Sequence, residues 1–237
     1  MGAIRPRKVD KQEALLQFSG NDVATIMKGS GSSRLSCVSM NLDEEIFLAQ
    51  LALRAKLLND EFQAAVVKIV EGQSYPIGVE SRQLITSDST AACGITSMLC
   101  KFGDCFDLVE IHSAAPKSVS RMREKLHKYA HPHPRSIWPL CANILDPVRA
   151  SVVCKGADQI LQVLSWFAAP QAVASLPICR LKNKFSFPSE RVPDGYRDLQ
   201  ICVLFTGSSG LSIIGEIQIH DAELYALKLK VSYARED

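Results

Sequence analysis

The chain has 237 residues, of which 47% are hydrophobic and 22% are charged, a composition typical of globular proteins and not of disordered or fibrous ones. Lysine and arginine number 27 and aspartate and glutamate 25, which leaves a net charge of +2. This balance argues against a protein that binds nucleic acid or membranes with its whole surface. Any anion-binding site must therefore be a local cluster of cations.

Residues 1–105 are predicted to form an N-terminal, largely helical region whose role the sequence does not assign. Leucine and alanine are frequent over 43–58, which indicates a helix. After Asn59, apolar residues recur at helical spacing over 60–71, which indicates a second helical segment. Residues 72–105 are rich in turn-forming residues and carry no assignment.

From residue 106 onward, strands and helices interleave irregularly, which predicts an α/β (α+β) domain over 106–237 with a mixed central sheet flanked by helices. Ser118 is the expected N-cap of the first of these helices. The predicted strands span 106–112, 149–154, 178–185, 200–205 and 212–220, and the predicted helices span 118–130, 156–168 and 221–230.

The sequence favours a protein of the cytoplasm without a membrane segment. Residues 160–179 carry no charge, but two prolines and several polar side chains there suit a buried helix, a turn and a strand start better than a membrane span. The polar N-terminal sequence does not resemble a secretory signal. We therefore expect the eight cysteines to be reduced, and several lie in apolar runs where they behave as small buried side chains.

Cations collect on one side of the helix after Pro116. At 100° per residue, four cations fall on a narrow stripe and four apolar residues fall roughly opposite. The cations are Lys117, Arg121, Lys125 and Lys128, and the apolar residues are Val119, Met122, Leu126 and Tyr129. The alternative interpretation is an ordinary solvated basic face.

A second group of cations lies on the strand over 178–185. Arg180, Lys182 and Lys184 alternate with other residues, so strand geometry sets all three on one face. Like charges in a row repel one another, so this arrangement favours a polyanion that binds on that face. The alternative is an edge strand that charge protects against aggregation.

Two carboxylates are candidates for a metal site. In the apolar strand over 212–220, Glu216, Gln218 and His220 share one face, and a central charge there is costly unless paired or bound to a metal. Asp146 lies at the mouth of another strand. The two acids, near two cationic elements, predict a site for Mg²⁺ and a polyphosphate. The alternative is a pair of structural salt bridges, such as Asp146 with Arg149.

One aromatic residue is a candidate for binding a base. Asp194-Gly195 predicts a turn that presents Tyr196 just before a strand. A tyrosine ring in that position can stack on a nucleobase. The alternative is that the ring packs within the protein.

Taken in chain order, these residues resemble the RelA/SpoT (p)ppGpp synthetase domain, a nucleotidyltransferase-like family, over about half of the chain. Three positions depart from the family pattern: Ala115 stands where its helix usually has arginine, Arg121 stands where it has a serine, and Gln200 replaces a histidine. The matching pieces are Lys117-Ser118 with Lys125, Asp146-Pro147-Val148-Arg149, Gly195-Tyr196-Arg197-Asp198-Leu199-Gln200, and Glu216-Ile217-Gln218-Ile219.

The resemblance implies Mg²⁺-dependent transfer of pyrophosphate from ATP to the 3′-hydroxyl of a guanine or other purine nucleotide. It implies that Asp146 and Glu216 hold Mg²⁺, that Glu216 activates the hydroxyl, and that Tyr196 stacks on the acceptor base. The nucleotide-binding residues that it implies are Lys117, Ser118, Arg121, Lys125, Arg149, Arg180, Lys182, Lys184, Tyr196 and Gln218, with the first helix on the donor phosphates and the cationic strand on the acceptor phosphates.

Two other functions remain open at this point. The departures at Ala115 and Gln200 favour a module of the same fold that binds a nucleotide or RNA without catalysis. The presence of both Asp146 and Glu216 favours an enzyme. A nucleotidyltransferase that acts on RNA ends is the third alternative, and it would label RNA instead of a small nucleotide.

Overall fold

The computed structural model describes residues 37–74, 94–134, 136–192 and 195–233. Six strands form one sheet in the order β1-β2-β3-β6-β5-β4. Strands β3 and β6 pair in parallel, and the other neighbours pair antiparallel, so the sheet is mixed as predicted. The strands are β1 (Ile95–Phe102), β2 (Cys105–Ser113), β3 (Val148–Cys154), β4 (Ile178–Asn183), β5 (Leu199–Thr206) and β6 (Ser212–Asp221).

Helices flank the sheet. Among the described residues, no helix combines the length and the apolar character that a membrane crossing requires. The uncharged stretch 160–179 forms most of a helix that buries one side in the core, at Ile160, Val163 and Phe167, and then a short second helix and the start of β4. The helices are α1 (Cys37–Glu71), α2 (Val119–Tyr129), α3 (Gly156–Ala168), α4 (Pro170–Ser175) and α5 (Ala222–Tyr233), with 3₁₀ turns at Leu140–Asn143 and Ser189–Arg191.

Helix α1 is continuous, and the predicted division at Asn59 is wrong. Asn59 is buried, and its side-chain oxygen accepts a hydrogen bond from Gln63 Nε2 at 3.2 Å, one helical turn further on. The same Gln63 amide donates to the carbonyl of Arg149 at 2.7 Å and so joins α1 to β3. Tertiary contacts therefore hold in a helix a residue type that alone favours turns.

The core lies between the apolar face of the sheet and the helices α1 and α3. Ile217 and Ile219 of β6 are fully buried, as is Phe62 of α1. Gly215 permits the close approach of α1, because a Cβ at this position would lie 2.5 Å from an atom of the Phe62 ring. A glycine in the middle of an apolar strand is thus explained by packing.

A second, smaller apolar cluster joins the first half of α1 to α2 and the 3₁₀ turn. Met122 and Leu126 from the predicted apolar stripe of α2 are buried against Leu48 of α1. Val119, at the first position of α2, is 37% exposed. Ser118 caps α2 as predicted, because its hydroxyl accepts a hydrogen bond from the backbone N–H of Arg121 at 3.4 Å.

Strand β1 was not predicted, and it pairs with β2 along its whole length. The turn between them contains Gly103, whose φ of 58° favours glycine. The β1–β2 hairpin spans the boundary predicted at residue 105, and α1 packs into the same core as the sheet. Strand β4 ends at Asn183, two residues before the predicted end.

Candidate functional site

The face of the sheet opposite the core is polar. Along β6, Ile217 and Ile219 point to the core, whereas Glu216, Gln218 and His220 share the other face, as the strand period predicted. Neighbouring strands continue this face in register. Glu216 lies beside Arg149 of β3 and Cys202 of β5, and Gln218 lies beside Ser151 and Gln200.

A cleft of about 520 Å³ opens between this polar face and α2 with the loop that precedes β3. Three cations and two carboxylates line it, so it carries a local excess of positive charge. The lining residues are Lys125, Tyr129, His133, Pro134, Asn143, Leu145, Asp146, Arg180, Lys182, Gln200, Cys202 and Glu216.

Asp146 is held by two lysines. Lys125 Nζ lies 2.7 Å from both carboxylate oxygens, and Lys117 Nζ donates to Oδ2. The backbone N–H of Lys117 also donates to the carbonyl of Pro147 at 2.9 Å, which fixes Lys117 beside the loop. Lys117 and Asp146 are both buried. The structure therefore contains the structural ion pair that was the alternative for Asp146, but the partners are Lys117 and Lys125 and not Arg149.

The charges of this cluster depend on one another. Burial raises the pKa of Asp146, but the bonds from Lys117 and Lys125 outweigh it and hold that pKa below its ordinary value. Burial lowers the pKa of Lys117 to about 8, against the attraction of Asp146. The Lys125 pKa is raised, because its bonds to Asp146 exceed the effect of burial. The cluster is therefore two ammonium groups that share one carboxylate at neutral pH.

Glu216 lies on the floor of the cleft. Its Oε1 accepts a hydrogen bond from Gln218 Nε2 at 2.5 Å, which orients the carboxylate. Burial, together with the negative charges of Glu216 and Asp146, raises the pKa of the neighbouring Cys202 thiol to about 12. Both predicted carboxylates line the same cleft.

The cationic strand is both an edge strand and a wall of the cleft. Strand β4 ends the sheet, which agrees with the protective interpretation of its charges. Arg180 and Lys182 are half-buried and line the cleft. Burial lowers the pKa of Lys182, and the charges of Lys184 and Arg180 lower it further. Lys184 follows β4 and pairs instead with the buried Asp198 at 2.8 Å.

Tyr196 does not line the cleft. Its hydroxyl shares a hydrogen bond with His220 Nδ1, and His220 Nε2 lies 3.2 Å from the hydroxyl of Ser151. Lys228 Nζ of α5 lies 4.7 Å from the centre of the Tyr196 ring, so an ammonium group covers one ring face. Burial raises the pKa of Tyr196, and the charge of Asp198 adds to this rise. Tyr196 therefore takes part in a packed polar network.

Among the other predicted site residues, Gln218 and Arg149 lie on the polar face, whereas Ser118 and Arg121 are exposed outside the cleft lining. The Nε atom of Arg149 is buried without a hydrogen-bond partner. The sequence did not single out Asp198, which is 1% exposed and pairs with Lys184. Its position two residues after Tyr196, directly before β5, was the available signal.

His220 is fully buried. Burial, together with the charge of Lys228, lowers its pKa to about 2. Its ring stacks on Tyr225 of α5, with ring centres 4.7 Å apart. The sequence predicted its face of β6 but not this network, because the partners Ser151 and Tyr225 lie on other elements.

The donor set around the cleft fits phosphate better than a metal ion. Within the described parts of the chain, no three His, Cys, Asp or Glu side chains group closely enough to hold a metal. Mg²⁺ is held by one or two carboxylates together with phosphate and water. Both oxygens of Asp146 already accept hydrogen bonds from ammonium groups, so in this arrangement Asp146 does not fit a magnesium ligand. Glu216 lines the cleft, and its expected role as a metal ligand stays a prediction.

Comparison with known protein families finds no family model that matches the chain, and comparison with curated proteins finds no match either. The function must therefore be argued from the site itself.

Proposed function

We propose that the cleft binds the polyphosphate chain of a nucleotide, and that the protein transfers pyrophosphate from ATP to the 3′-hydroxyl of a guanine or other purine nucleotide. One observation carries the proposal. Lys125 from α2 and the cations Arg180 and Lys182 from β4 line the same cleft as the carboxylate of Glu216. Separate parts of the chain thus bring phosphate-binding groups to an oriented acid.

The cations supply the binding energy for phosphate. Arg180 offers a planar guanidinium that can donate two parallel hydrogen bonds to phosphate oxygens. Lys125 and Lys182 are both partly buried, so water weakens their attraction to an anion less than it would at an open surface. A bound polyphosphate would also relieve the mutual repulsion of Arg180 and Lys182 on β4.

Glu216 would act as the general base. The hydroxyl oxygen of the acceptor forms a bond to the β-phosphorus of ATP while the bond from that phosphorus to the bridging α–β oxygen breaks. AMP departs with that electron pair, and Glu216 accepts the hydroxyl proton. Gln218 holds the carboxylate of Glu216 in place. The neighbouring cations stabilise the charge that spreads over the transferred phosphates. No step is assigned to Mg²⁺, because Asp146 is already bound by the two lysines.

The acceptor base would stack on Tyr196. For this, Lys228 must leave the ring face that it covers at 4.7 Å. The bond between the Tyr196 hydroxyl and His220 would hold the ring in place during stacking. This step therefore couples base binding to a displacement of the Lys228 side chain.

A second function is favoured by a different observation. Lys117 and Lys125 already neutralise Asp146, which the family resemblance assigns to the metal. Such a site can hold a nucleotide or an RNA phosphate without chemistry. On this alternative, Glu216 would balance the charge of Arg180 and Lys182 and would not move a proton.

Product analysis separates the two functions. The purified protein is incubated with ATP and each purine nucleotide, with and without Mg²⁺, and AMP and pyrophosphorylated nucleotide are quantified by chromatography. Wild type should form both products in equal amounts, and Glu216→Gln should lose about 10²-fold or more in rate. Glu110→Gln is the matched control, because Glu110 lies on the same sheet face but outside the cleft lining. If wild type binds the nucleotide in a separate calorimetric titration but forms no product, the second function is supported.

A further inference from the structure

Helix α1 carries an apolar stripe on the side that faces away from the sheet. Leu42, Ile46, Leu53 and Leu57 are between 47% and 63% exposed. At 100° per residue these four side chains fall within about 60° of one another, and the exposed Ala49 widens this arc to about 80°. Single exposed leucines are ordinary, but four in one line over about 22 Å of helix are a contiguous patch.

The stripe has the symmetry of a surface that pairs with itself. A two-fold axis that crosses α1 between Ala49 and Gln50 brings Leu42 opposite Leu57 of a second copy. The same axis brings Ile46 opposite Leu53. When two identical helices pair antiparallel, each contact surface must be complementary to the same surface running in the opposite direction. Ala49 is small and lies beside the axis, where the two backbones would approach most closely.

Charges on the two edges of the stripe show the same symmetry. One edge carries Asp43 and Arg54, whose guanidinium also donates to the carbonyl of Ser212 at 3.4 Å. The other edge carries Lys56 and Glu45, and Glu45 is also bound by Arg123 of its own chain. Residues on the same edge of two antiparallel helices face each other. Asp43 would therefore lie near Arg54 of the second copy, and Glu45 near Lys56. In a parallel pair, acids would lie beside acids at one end and bases beside bases at the other, which is unfavourable.

The elements behind the stripe are firmly attached to it. Arg123 of α2 donates two hydrogen bonds to Glu45 at 2.8 and 2.7 Å. Glu44 accepts a hydrogen bond from the backbone N–H of Cys141 at 3.2 Å, in the 3₁₀ turn that precedes Asp146. The first half of α1 is thus packed against the elements that carry Lys125 and Asp146, and it presents the stripe as a rigid surface.

We infer that the protein forms a two-fold symmetric homodimer in which the α1 helices pair antiparallel through Leu42, Ile46, Leu53 and Leu57. The occupant of the stripe is a second copy of this chain, because the charge pattern is complementary to its own reverse. This inference does not depend on what the cleft binds.

Light scattering combined with size-exclusion chromatography tests the dimer on the full chain over a wide range of concentration. Wild type should be a dimer, and Leu53→Glu should raise the dissociation constant about tenfold or more, because it buries a charge in the apolar seam. The matched control is Leu161→Glu, at a position on α3 that is 60% exposed. Circular dichroism confirms that each variant is folded. A monomeric wild type, or a dimer that Leu53→Glu and Leu161→Glu affect equally, overturns the proposal.

Cysteine crosslinking tests the orientation. Under mild oxidation, Gln50→Cys should crosslink to itself because residue 50 lies beside the axis. Leu57→Cys should crosslink with Leu42→Cys when the two variants are mixed, and not with itself. Wild type, whose Cys105 and Cys179 are exposed, gives the background. If Leu57→Cys crosslinks with itself above that background, the helices are parallel and the antiparallel pair is wrong.

Charge exchange gives an independent measurement of the same orientation. Asp43→Lys should weaken the dimer, because it sets two cations side by side near Arg54 of the second copy. Adding Arg54→Asp should restore much of the affinity. If the double variant is weaker than Asp43→Lys alone, the assigned pairing of the two edges is contradicted.

Discussion

The ammonium group of Lys125 lies 2.7 Å from both carboxylate oxygens of Asp146, at the mouth of a cationic cleft. Lys117 reaches the same carboxylate from the buried side. The sequence suggested that the aspartate holds a metal and that the lysines hold phosphate. In the folded chain these residues hold one another, and Arg180 and Lys182 are the other cations that line the cleft.

The buried cluster should contribute strongly to stability. Asp146→Asn leaves the ammonium of Lys117, whose side chain is 5% exposed, without a counter-charge. Removing one partner of a buried ion pair costs about 3–5 kcal/mol. We therefore expect urea unfolding to show a loss of this size in the free energy of unfolding.

The matched control is Asp107→Asn. Asp107 pairs with Lys155, whose side chain is 67% exposed, and such pairs contribute less than about 1 kcal/mol. Equal losses for the two variants would show that the Lys117–Asp146 pair is not a buried cluster in solution.

Acid should destabilise the protein through His220. The pKa of this histidine is lowered to about 2 by burial, against an ordinary value of 6.5. Below pH 6.5, the unfolded chain therefore binds a proton at His220 that the folded chain does not bind. Stability is fully present above pH 6.5 and falls as the pH drops below it, by about 1.4 kcal/mol per pH unit from this residue.

Unfolding measured from pH 7 to about pH 5 tests this. His220→Gln cannot titrate and should lose less stability over that range than wild type does. His127→Gln, at an exposed position on α2, should keep the slope of wild type. A slope for His220→Gln that equals the wild-type slope would show that His220 titrates normally.

Gly215 should be intolerant of a side chain. A Cβ there would lie 2.5 and 2.8 Å from two atoms of the Phe62 ring, so α1 would have to move away from β6. Overpacking of a core costs about 1–3 kcal/mol. We expect Gly215→Ala to lower the thermal midpoint. Gly94→Ala, whose Cβ would meet nothing within 4 Å, should leave it unchanged, and an equal change in both would refute the packing argument.

Periodicity was sufficient to predict most of the sheet. The strand period separated Ile217 and Ile219 from Glu216 and Gln218, and burial in the structure follows this division. Strand β1 was not predicted because the polar side chains of Thr96, Ser97 and Lys101 interrupt the alternation of apolar and polar residues that marks a strand. It lies at the edge of the sheet, next to a tight turn.

The pairing within the site was harder to predict. Lys117 and Asp146 are 29 residues apart in sequence, and long-range contacts such as the backbone bond from Lys117 to Pro147 bring them together. The position of Lys228 over the Tyr196 ring depends on how α5 folds back onto β6. Long-range contacts of this kind leave no local signal in the sequence.

The cleft should bind nucleotide phosphates through Lys182, and calorimetric titration with a non-hydrolysable ATP analogue tests this most directly. We predict that wild type binds the analogue and that Lys182→Ala raises the dissociation constant about tenfold or more, because a charge-assisted hydrogen bond is lost. Lys128→Ala removes the same charge from an exposed position on α2 and should bind as wild type does. If wild type shows no binding, or if the two variants weaken binding equally, the cleft is not the phosphate site.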